Sequence, residues 1–568
     1  MGIYINRGNS AFRQYTNGEY VDKTAMIAYI NTTFDTANKL TCVSRPRRFG
    51  KSMAAHMLYA YYDKSCDSHE LFSRFAIAKD KSFEQHLNKY PTISIDITSF
   101  TTRYEGRDDI VELIQVAVIK DIRKAYPDVE IDEGCDLMDV LLNVNLATGE
   151  KFVMIIDEWD ALCREAADKP RLMNNYVNLL RRLFKNIDTA KVFACVYMTG
   201  ILPIKRYGTQ SALNDFREYS MTDPKALAEY FGFTTDEVKA LCGKYHMDFD
   251  EVKSWYDGYR FSVMRPVGVP DPKLVEISVF NPNSVMQAVD CHQCNNYWVK
   301  TSSFDSLQRY IDMDFTGVKE AFEKLLNGGE KQVNTLRYGT NLYDVENDDE
   351  LFTLLIHLGY VAYDMSSQAV RLPNMEVRIE ITEAVRGSKS HPELARWVKD
   401  SDLLLDATLA MDEDYVAKAI ETFHNTKTAP TFYNNEQALR SVIRMVYIGA
   451  VDYYVQIEVL PTGKGRSSES RQACLDGRVV TELDEVKGFA DVVFIPKRSI
   501  KRPAIVVEMK WNHPVEAAID QIKERRSALP LRSSKNYPDV LKRFTDNILL
   551  VGISYDVTTK QHTCKIER

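Results

Sequence analysis

A glycine, a lysine and a serine occupy residues 50–52 at the end of the segment SRPRRFGKS. They form the second half of the phosphate-binding pattern G-x-x-x-x-G-K-[ST], in which the lysine reaches the β- and γ-phosphates and the hydroxyl binds Mg²⁺. Arg45 stands where the pattern has its first glycine. The segment predicts an ATP site built on Gly50, Lys51 and Ser52, with Ser52 as a metal ligand, and it leaves open whether the loop is intact.

Asp157 and Glu158 form a second group of candidate residues, and they directly follow the apolar run FVMII. Carboxylates at the carboxyl end of a buried strand are where an α/β nucleotide site places its magnesium ligand and its base. We therefore predict that Asp157 holds Mg²⁺ and that Glu158 polarises the attacking water. Thr199 ends another apolar run and is the predicted sensor of the γ-phosphate, whereas Asp160 is interpreted only as a cap of the following helix.

Two more carboxylates and a lysine occur near the carboxyl terminus, in GFADVVFIP (488–496) and PAIVVEMKW (503–511). Glu508 and Lys510 are two residues apart on a strand, so they point to the same face. Asp491 precedes them by enough residues for a hairpin. Carboxylate oxygens bind Mg²⁺, and a lysine beside them orients water for attack on a phosphodiester. The arrangement predicts a nuclease site with Asp491 and Glu508 as metal ligands, and a surface salt bridge is the alternative.

Helical segments on either side of these strands supply two further candidates, Glu436 and Gln521. Glu436 shares a helical stripe with Ile443 and Tyr447, and a carboxylate on a partly apolar face is expected to point towards the site. Gln521 lies in the helical segment AAIDQIKERRSAL. The order helix, three strands, helix and strand is that of a restriction-endonuclease-like core.

The elements around the first site predict an α/β fold. The segment KLTCVS is typical of a strand before the loop, and KSMAAHMLYAYY of a helix after it. A phosphate loop works only in that context, between a buried strand and a helix. Further apolar strands are predicted in TISIDITSF, KFVMIIDEWDAL and KVFACVYMTG. Together these segments predict a P-loop ATPase core over residues 1–222.

The rest of the chain divides into three predicted regions. Residues 223–290 are predicted as a helical lid, with Asp223 and Pro224 at the start of one helix and a capping box at Thr234 and Glu237. Arg260 is either a second nucleotide sensor or, as the pattern favours, a solvated arginine in an aromatic packing loop. The remaining regions are a mostly helical middle part (291–430) and a restriction-endonuclease-like α/β domain (431–568).

Composition limits the class of protein. A chain of 568 residues is too long for one hydrophobic core. The net charge is −8, yet residues 431–568 carry 22 Lys and Arg against 17 Asp and Glu. This basic part is compatible with nucleic-acid contact, and an ordinary fluctuation of surface charge explains it equally well. Ten irregularly spaced cysteines fit reduced thiols, and a metal role of Cys291 and Cys294 is left open. Without a signal peptide or membrane span, we expect a cytoplasmic protein.

Six segments together resemble an AAA-ATPase-like family of bacterial proteins that carry a C-terminal PD-(D/E)XK nuclease-like domain. The family loop reads R-P-R-R-F-G-K-S, so the resemblance implies that the loop is native and that Arg47, Arg48 and Phe49 join the ATP site. Arg47 and Arg48 either contact phosphates or face solvent. The segments are YVDKT (20–24), SRPRRFGKS (44–52), IIDEWDAL (155–162), MTGILPIKR (198–206), SWYDGYRF (254–261) and VFNPNSV (279–285).

The chain departs from this family in two places. Residues 466–488 interrupt the family string P-T-G-K-G-F-A-D-V-V-F, and a substrate loop, an occluding flap and a neutral excursion are all open interpretations. Arg525 stands where many relatives have a tyrosine after the helix glutamine.

The resemblance implies an ATPase coupled to a nuclease that uses Mg²⁺ or Mn²⁺ and acts on nucleic acid, in the first place DNA. It also implies a role in defence or mobile-element biology, with a homo-oligomer as one arrangement. The alternative is a nucleotide-switched interaction protein whose nuclease-like domain binds nucleic acid or protein without catalysis.

Overall fold

Two compact units, interleaved along the chain, make up the computed structural model. Unit 1 comprises Met1–Phe249, Asp257–Gln293 and Gln332–Val370, and unit 2 comprises Asp250–Tyr256, Cys294–Lys331 and Arg371–Arg568. The four-domain division at residues 222, 290 and 430 stays a prediction. The structure describes residues 2–165, 169–204, 213–265, 273–298, 304–313, 315–337, 345–427, 439, 442–443, 445–457, 491–497, 500–527, 544 and 547–568.

A parallel five-stranded sheet is the centre of unit 1, and its strand order is β2-β3-β4-β1-β5. Because the strands are parallel, their carboxyl ends lie at one edge of the sheet, where ligands bind in α/β folds. Strand β4 lies between β1, which precedes the phosphate loop, and β3, which carries the acidic pair. The strands are β1 (Leu40–Ser44), β2 (Thr92–Asp96), β3 (Phe152–Asp157), β4 (Phe193–Gly200) and β5 (Arg217–Tyr219).

Helices cover both faces of this sheet. The even-numbered apolar residues of β3 join one cluster with α7 (Ile110–Ala125), α8 (Leu137–Thr148) and α10 (Pro170–Phe184). The odd-numbered residues join a second cluster with α2 (Ala25–Asn31) and α3 (Lys51–Tyr62). This alternation explains why the strands read as continuous apolar runs, since both of their faces are buried. The α/β class predicted for this part of the chain is confirmed.

The other helices of unit 1 are short or come after the central sheet in the sequence. They are α1 (Ser10–Thr16), α4 (His69–Phe72), α5 (Phe83–His86), α6 (Ile97–Arg103), α9 (Ala161–Glu165), α11 (Thr189–Val192), α12 (Thr235–Tyr245), α14 (Pro282–Cys291) and α17 (Asp348–Leu358).

The predicted helical lid contains a sheet. Strands β6 (Phe233–Thr234), β7 (Tyr259–Arg265) and β8 (Lys273–Phe280) pair antiparallel in the order β6-β8-β7. The helix predicted after Pro224 is only a short 3₁₀ turn, Lys225–Leu227. The capping box at the start of α12 is present as predicted. The predicted helical lid therefore contains helices and also an antiparallel sheet, in which β7 has the alternating burial of a strand.

A mixed five-stranded sheet organises unit 2. Its order is β12-β13-β14-β15-β16, and only the β14–β15 pair is parallel. On β14 the residues at 504 and 506 pack with a helix, α21, in one apolar cluster, and those at 505, 507 and 509 join another. The strands are β12 (Tyr453–Ile457), β13 (Val492–Pro496), β14 (Ala504–Trp511), β15 (Ile548–Asp556) and β16 (Gln561–Glu567), and α21 is Val515–Ser527.

The remaining helices lie in the middle of the chain, as the sequence predicts. A small sheet in the order β10-β11-β9 accompanies them. The elements are β9 (Lys331–Gln332), β10 (Ala362–Asp364), β11 (Ala369–Arg371), α13 (Phe249–Tyr256), α15 (Phe304–Ile311), α16 (Val318–Leu326), α18 (Met375–Arg386), α19 (Pro392–Leu409) and α20 (Glu413–Lys427).

Candidate active sites

The phosphate loop occupies residues 45–50, between the end of β1 and the start of α3. Gly50 is the residue before α3 and has a φ of 90°. A side chain at this left-handed position would be strained, so the glycine is needed for the turn into the helix. The first amides of a helix are unsatisfied within it and attract an anion. The loop therefore has the backbone geometry of a phosphate site without its first glycine.

Arg45 is a buried anchor of this loop. Its side chain is fully buried, and its Nη1 donates to the carbonyl oxygens of Ser44 (2.8 Å) and Tyr219 (2.9 Å). The guanidinium also lies over the rings of Phe231 (5.4 Å) and Phe261 (5.6 Å). Burial lowers the pKa of Arg45 to about 9. The arginine thus packs the loop against the aromatic segment that follows β5, and its side chain is not a phosphate ligand here.

A cavity of about 790 Å³ lies beside the loop, and Gly50, Lys51, Ser52, Asp157 and Glu158 all line it. Small-molecule sites commonly have volumes of about 300–1,000 Å³. The structure therefore brings the two predicted nucleotide motifs together on one cavity of sufficient size.

Three further predicted residues line the same cavity. Arg47 and Arg48 are exposed, so both extend into solvent at its mouth. Phe49 is buried and packs edge-to-face on Tyr259 at 5.2 Å, and its carbonyl accepts from the amide of Gly232 at 3.3 Å. Phe49 therefore has a packing role in the loop, whereas the two arginines are exposed side chains that line the cavity.

Asp157 and Ser52 form an oxygen-rich corner of the cavity. The Thr199 hydroxyl donates to Asp157 Oδ1, and the Ser52 hydroxyl also hydrogen-bonds the same carboxylate. Burial raises the pKa of Asp157, although these two hydrogen bonds oppose the shift. A carboxylate beside a hydroxyl is the hard oxygen set that Mg²⁺ prefers, so these residues fit the predicted ion. Thr199 contacts Asp157 directly, which places it where a sensor of the bound phosphate would lie.

Glu158 is held between two cations. Its Oε1 lies 3.3 Å from Lys51 Nζ, and its Oε2 lies 2.5 Å from Arg164 Nη2. Burial raises the pKa of Glu158, but Lys51 and Arg164 together outweigh burial and lower it. The residue has a φ of 50°, a conformation that is uncommon for a side chain of this size and is often found at functional sites. Lys51 Nζ also donates to the carbonyl of Pro46 at 3.1 Å.

Sequence reasoning missed Arg164 and gave Asp160 too small a role. Asp160 is fully buried, and its carboxylate accepts from the backbone amides of Ile201 (3.2 Å) and Leu202 (3.0 Å). It also binds Arg164 Nε at 3.1 Å. Asp160 therefore ties the end of β3 to the segment after β4. The i, i+4 spacing of Asp160 and Arg164 is the sequence signal that could have found this pair.

Arg260 is solvated, as the favoured interpretation expects, but it lies on a strand and not in a loop. Arg260 is exposed on β7, whereas its neighbours Tyr259 and Phe261 are buried. The segment is thus an aromatic packing strand with a solvated arginine.

The carboxylates of unit 2 converge at one end of β14. Asp491 and Glu508 are each only 1% exposed, and Asp491 Oδ2 accepts from the amide of Met509 at 2.7 Å. Lys510 Nζ lies 3.3 Å from Glu508 Oε1 and donates to Gln521 Oε1 on α21. Glu508 is buried and the side chain of Lys510 is only 15% exposed, so the pair is not the surface salt bridge considered above.

Some predicted features of this region lie outside the described residues, namely Glu436 and the insertion 466–488. Among the described side chains, no group of three or more His, Cys, Asp and Glu is arranged to hold a metal ion. Cys291 is exposed and Cys294 is buried. Of the helices that the structure describes, none combines the length and the apolar character needed to cross a bilayer.

A comparison with protein families now bears on the first site. Residues 8–209 match the family model described as "Predicted AAA-ATPase". These residues form an AAA-ATPase-like domain. The match includes the phosphate loop, the acidic pair and Thr199, and it ends before the lid. The AAA-ATPase-like domain is thus the part of the earlier resemblance that is shown. The nuclease-like domain stays a prediction.

A relative and two solved structures are similar to a longer part of the chain. One is an uncharacterized protein in the vnfD 5′ region of Azotobacter chroococcum mcd 1, 21% identical over 382 residues, which are 65% of this chain and 67% of the relative. A Walker-type ATPase of Pyrococcus abyssi is 12% identical with a TM-score of 0.32, covering 63% of this chain and 94% of that one.

The Aeropyrum pernix ORC1 protein, solved in complex with DNA, is 10% identical with a TM-score of 0.24, covering 67% of this chain and 97% of that one. TM-scores this low carry no inference about this chain.

Proposed function

We propose that this chain binds and hydrolyses ATP in the cavity of unit 1 and cleaves nucleic acid, in the first place DNA, at the carboxylate cluster of unit 2. The observation that carries the first activity is the convergence of Lys51, Ser52, Asp157 and Glu158 on one cavity of about 790 Å³. The AAA-ATPase-like family match over residues 8–209 supports it.

The side chains of the cavity divide the work of hydrolysis. Lys51 neutralises the β- and γ-phosphates. To reach them, its ammonium moves away from the Glu158 carboxylate. Ser52 and Asp157 are the residues that would hold Mg²⁺, which when bound supplies charge neutralisation between the phosphates. Glu158 accepts a hydrogen bond from the attacking water and orients it in line with the γ-phosphate. Thr199 fixes the Asp157 carboxylate and senses the phosphate beside it.

The experiment for this activity compares wild type with Lys51→Ala. We expect the variant to lose ATP binding in a fluorescent-nucleotide titration, together with phosphate release, because it removes the ammonium that is proposed to neutralise the phosphates. Lys64→Ala is a control, since Lys64 pairs at the protein surface with Glu150. Equal binding by wild type and Lys51→Ala would exclude the proposed nucleotide site.

A second activity is favoured by the arrangement of unit 2. Asp491 and Glu508 would hold Mg²⁺ or Mn²⁺, which when bound supplies a Lewis acid at the scissile phosphate. Lys510, fixed by Glu508 and Gln521, orients the attacking water and stabilises negative charge on the phosphate. The neighbouring insertion 466–488 and Glu436 are proposed to influence this site, Glu436 as an additional carboxylate.

Cleavage of labelled DNA and RNA with Mg²⁺ or Mn²⁺ tests this activity, with Lys510→Ala as the variant. We expect cleavage by wild type and none by Lys510→Ala. Lys523→Ala is the matched control on α21, since Lys523 pairs with Glu567 away from the cluster. Cleavage that survives Lys510→Ala would contradict the mechanism.

Coupling between the two activities is part of the proposal, in a cytoplasmic protein that works as a monomer or a homo-oligomer. Cleavage by wild type should depend on ATP, and Lys51→Ala should lose that dependence. If no nucleic acid is cleaved but Lys51→Ala alters nucleic-acid or protein binding, the chain is instead a nucleotide-switched interaction protein.

A further inference from the structure

Arg164 fixes one oxygen of the proposed base, while Lys51 takes the other. Arg164 Nη2 lies 2.5 Å from Glu158 Oε2, and Lys51 Nζ lies 3.3 Å from Oε1. The two cations therefore do not compete for the same oxygen. A carboxylate held in this way can release one partner and keep its orientation through the other.

The proposed function requires Lys51 to leave Glu158, because the lysine must reach the phosphates. Its departure frees Oε1 to accept a hydrogen bond from water. Oε2 stays on Arg164, so the carboxylate keeps its direction as the nucleotide binds. Without Arg164, the side chain of Glu158 would be free to rotate once Lys51 had moved.

Arg164 is itself held rigidly. Its side chain is only 10% exposed, and its Nε binds the fully buried carboxylate of Asp160 at 3.1 Å. That carboxylate is fixed by the amides of Ile201 and Leu202. A planar guanidinium held at two of its nitrogens has little freedom to turn. Arg164 therefore holds the Glu158 carboxylate in a fixed position relative to the end of β4.

We propose that Arg164 is a positioning residue for ATP hydrolysis, acting through Glu158 and oriented by Asp160. This inference rests on the proposed ATPase activity. Arg164 orients the carboxylate that contacts the attacking water, and it is not required for nucleotide binding. Its contribution is thus confined to turnover.

The test is a kinetic double-mutant cycle with Arg164→Gln, Glu158→Gln and the double variant, measured by phosphate release. We expect Arg164→Gln to lower kcat by about 10- to 100-fold, as a misplaced catalytic group does, with KM changed by less than about twofold. Arg164→Lys should recover part of kcat because it keeps the charge. In the Glu158→Gln background, Arg164→Gln should cause no further loss, because both changes remove one function.

Three results would overturn the proposal: an increase of kcat in Arg164→Gln, a loss that multiplies with that of Glu158→Gln, or a rise of KM alone. If Arg164→Gln fails to fold by thermal melting, Arg164→Lys and Asp160→Asn enter the same cycle with the same expectation of lowered kcat and no further loss. Failure of the underlying ATPase proposal is distinguishable, because wild type itself would then release no phosphate.

Discussion

The two candidate sites hold their carboxylates with different balances of charge. In the nucleotide site, Glu158 is bound by Lys51 and Arg164, and Arg47 and Arg48 are exposed at the cavity mouth. At the cluster of unit 2, two buried carboxylates, Asp491 and Glu508, accompany the ammonium of Lys510. Under the proposed function, the first site would receive an anion such as a triphosphate, and the second would receive a cation before a phosphate.

This difference predicts that metal removal affects the two sites to different degrees. Excess EDTA should abolish nucleic-acid cleavage, because the buried carboxylates would repel a phosphodiester without a metal. Nucleotide binding should weaken by only about tenfold, since cations of the protein remain at that site. Titrations of a fluorescent ATP analogue and cleavage assays in the same buffers would measure both.

The variant Glu508→Gln tests the same comparison. It should lose nucleic-acid cleavage and keep ATP turnover. If EDTA leaves cleavage intact, or removes ATP binding completely, the contrast between the two sites is wrong.

A smaller effect is expected from the arginines of the loop. Arg45→Ala should destabilise unit 1 by about 2–4 kcal/mol, because it removes two buried hydrogen bonds and leaves a cavity. Arg47→Ala should change stability by less than about 0.5 kcal/mol, since Arg47 is exposed.

Urea unfolding of the two variants measures these effects. Arg45→Met, which keeps volume without the buried charge, should recover part of the loss. Equal stability of Arg45→Ala and Arg47→Ala would mean that the anchor is unimportant.

The smallest predicted effect is a pH dependence confined to unit 2. Lys497 is buried over the ring of Trp255 at 4.4 Å, and burial lowers its pKa to about 8 from 10.5. Between these values the unfolded chain binds the proton more strongly than the folded one, so the contribution of Lys497 to stability rises with pH.

Thermal unfolding of wild type and Lys497→Met between about pH 7 and 10 tests this sign, because the difference between them isolates the lysine. Lys497→Met should be relatively more stable at pH 7, and its advantage should shrink towards pH 10. An advantage that is constant or grows with pH would contradict the assignment.

Much of the nucleotide site could be predicted because its signals are local. Strand β1, helix α3 and strand β3 follow from apolar runs and turn residues, and Gly50 and Asp157 lie at their ends. The alternating residues of β14 likewise place Glu508 and Lys510 on one face. In each case the sequence signal that identifies a site residue lies close to that residue in the chain.

What could not be predicted depends on contacts between distant segments. The burial of Arg45 follows from Tyr219, Phe231 and Phe261, which no pattern near the loop reveals. Asp160 was interpreted as a helix cap because its partners, Ile201 and Leu202, follow a strand some 40 residues later.

The lid sheet was missed for a different reason. The alternating pattern of β7 is visible in the sequence, but its aromatic residues favour the interpretation of a packing loop.

The most direct test of the account is ATP turnover by Glu158→Gln, measured beside wild type and Glu508→Gln. The account predicts that Glu158→Gln still binds ATP and loses turnover by about 10²- to 10⁴-fold, the usual contribution of a general base. It also predicts that Glu508→Gln turns over ATP at the wild-type rate. Turnover by Glu158→Gln at the wild-type rate would contradict the assignment of this cavity as the site of hydrolysis.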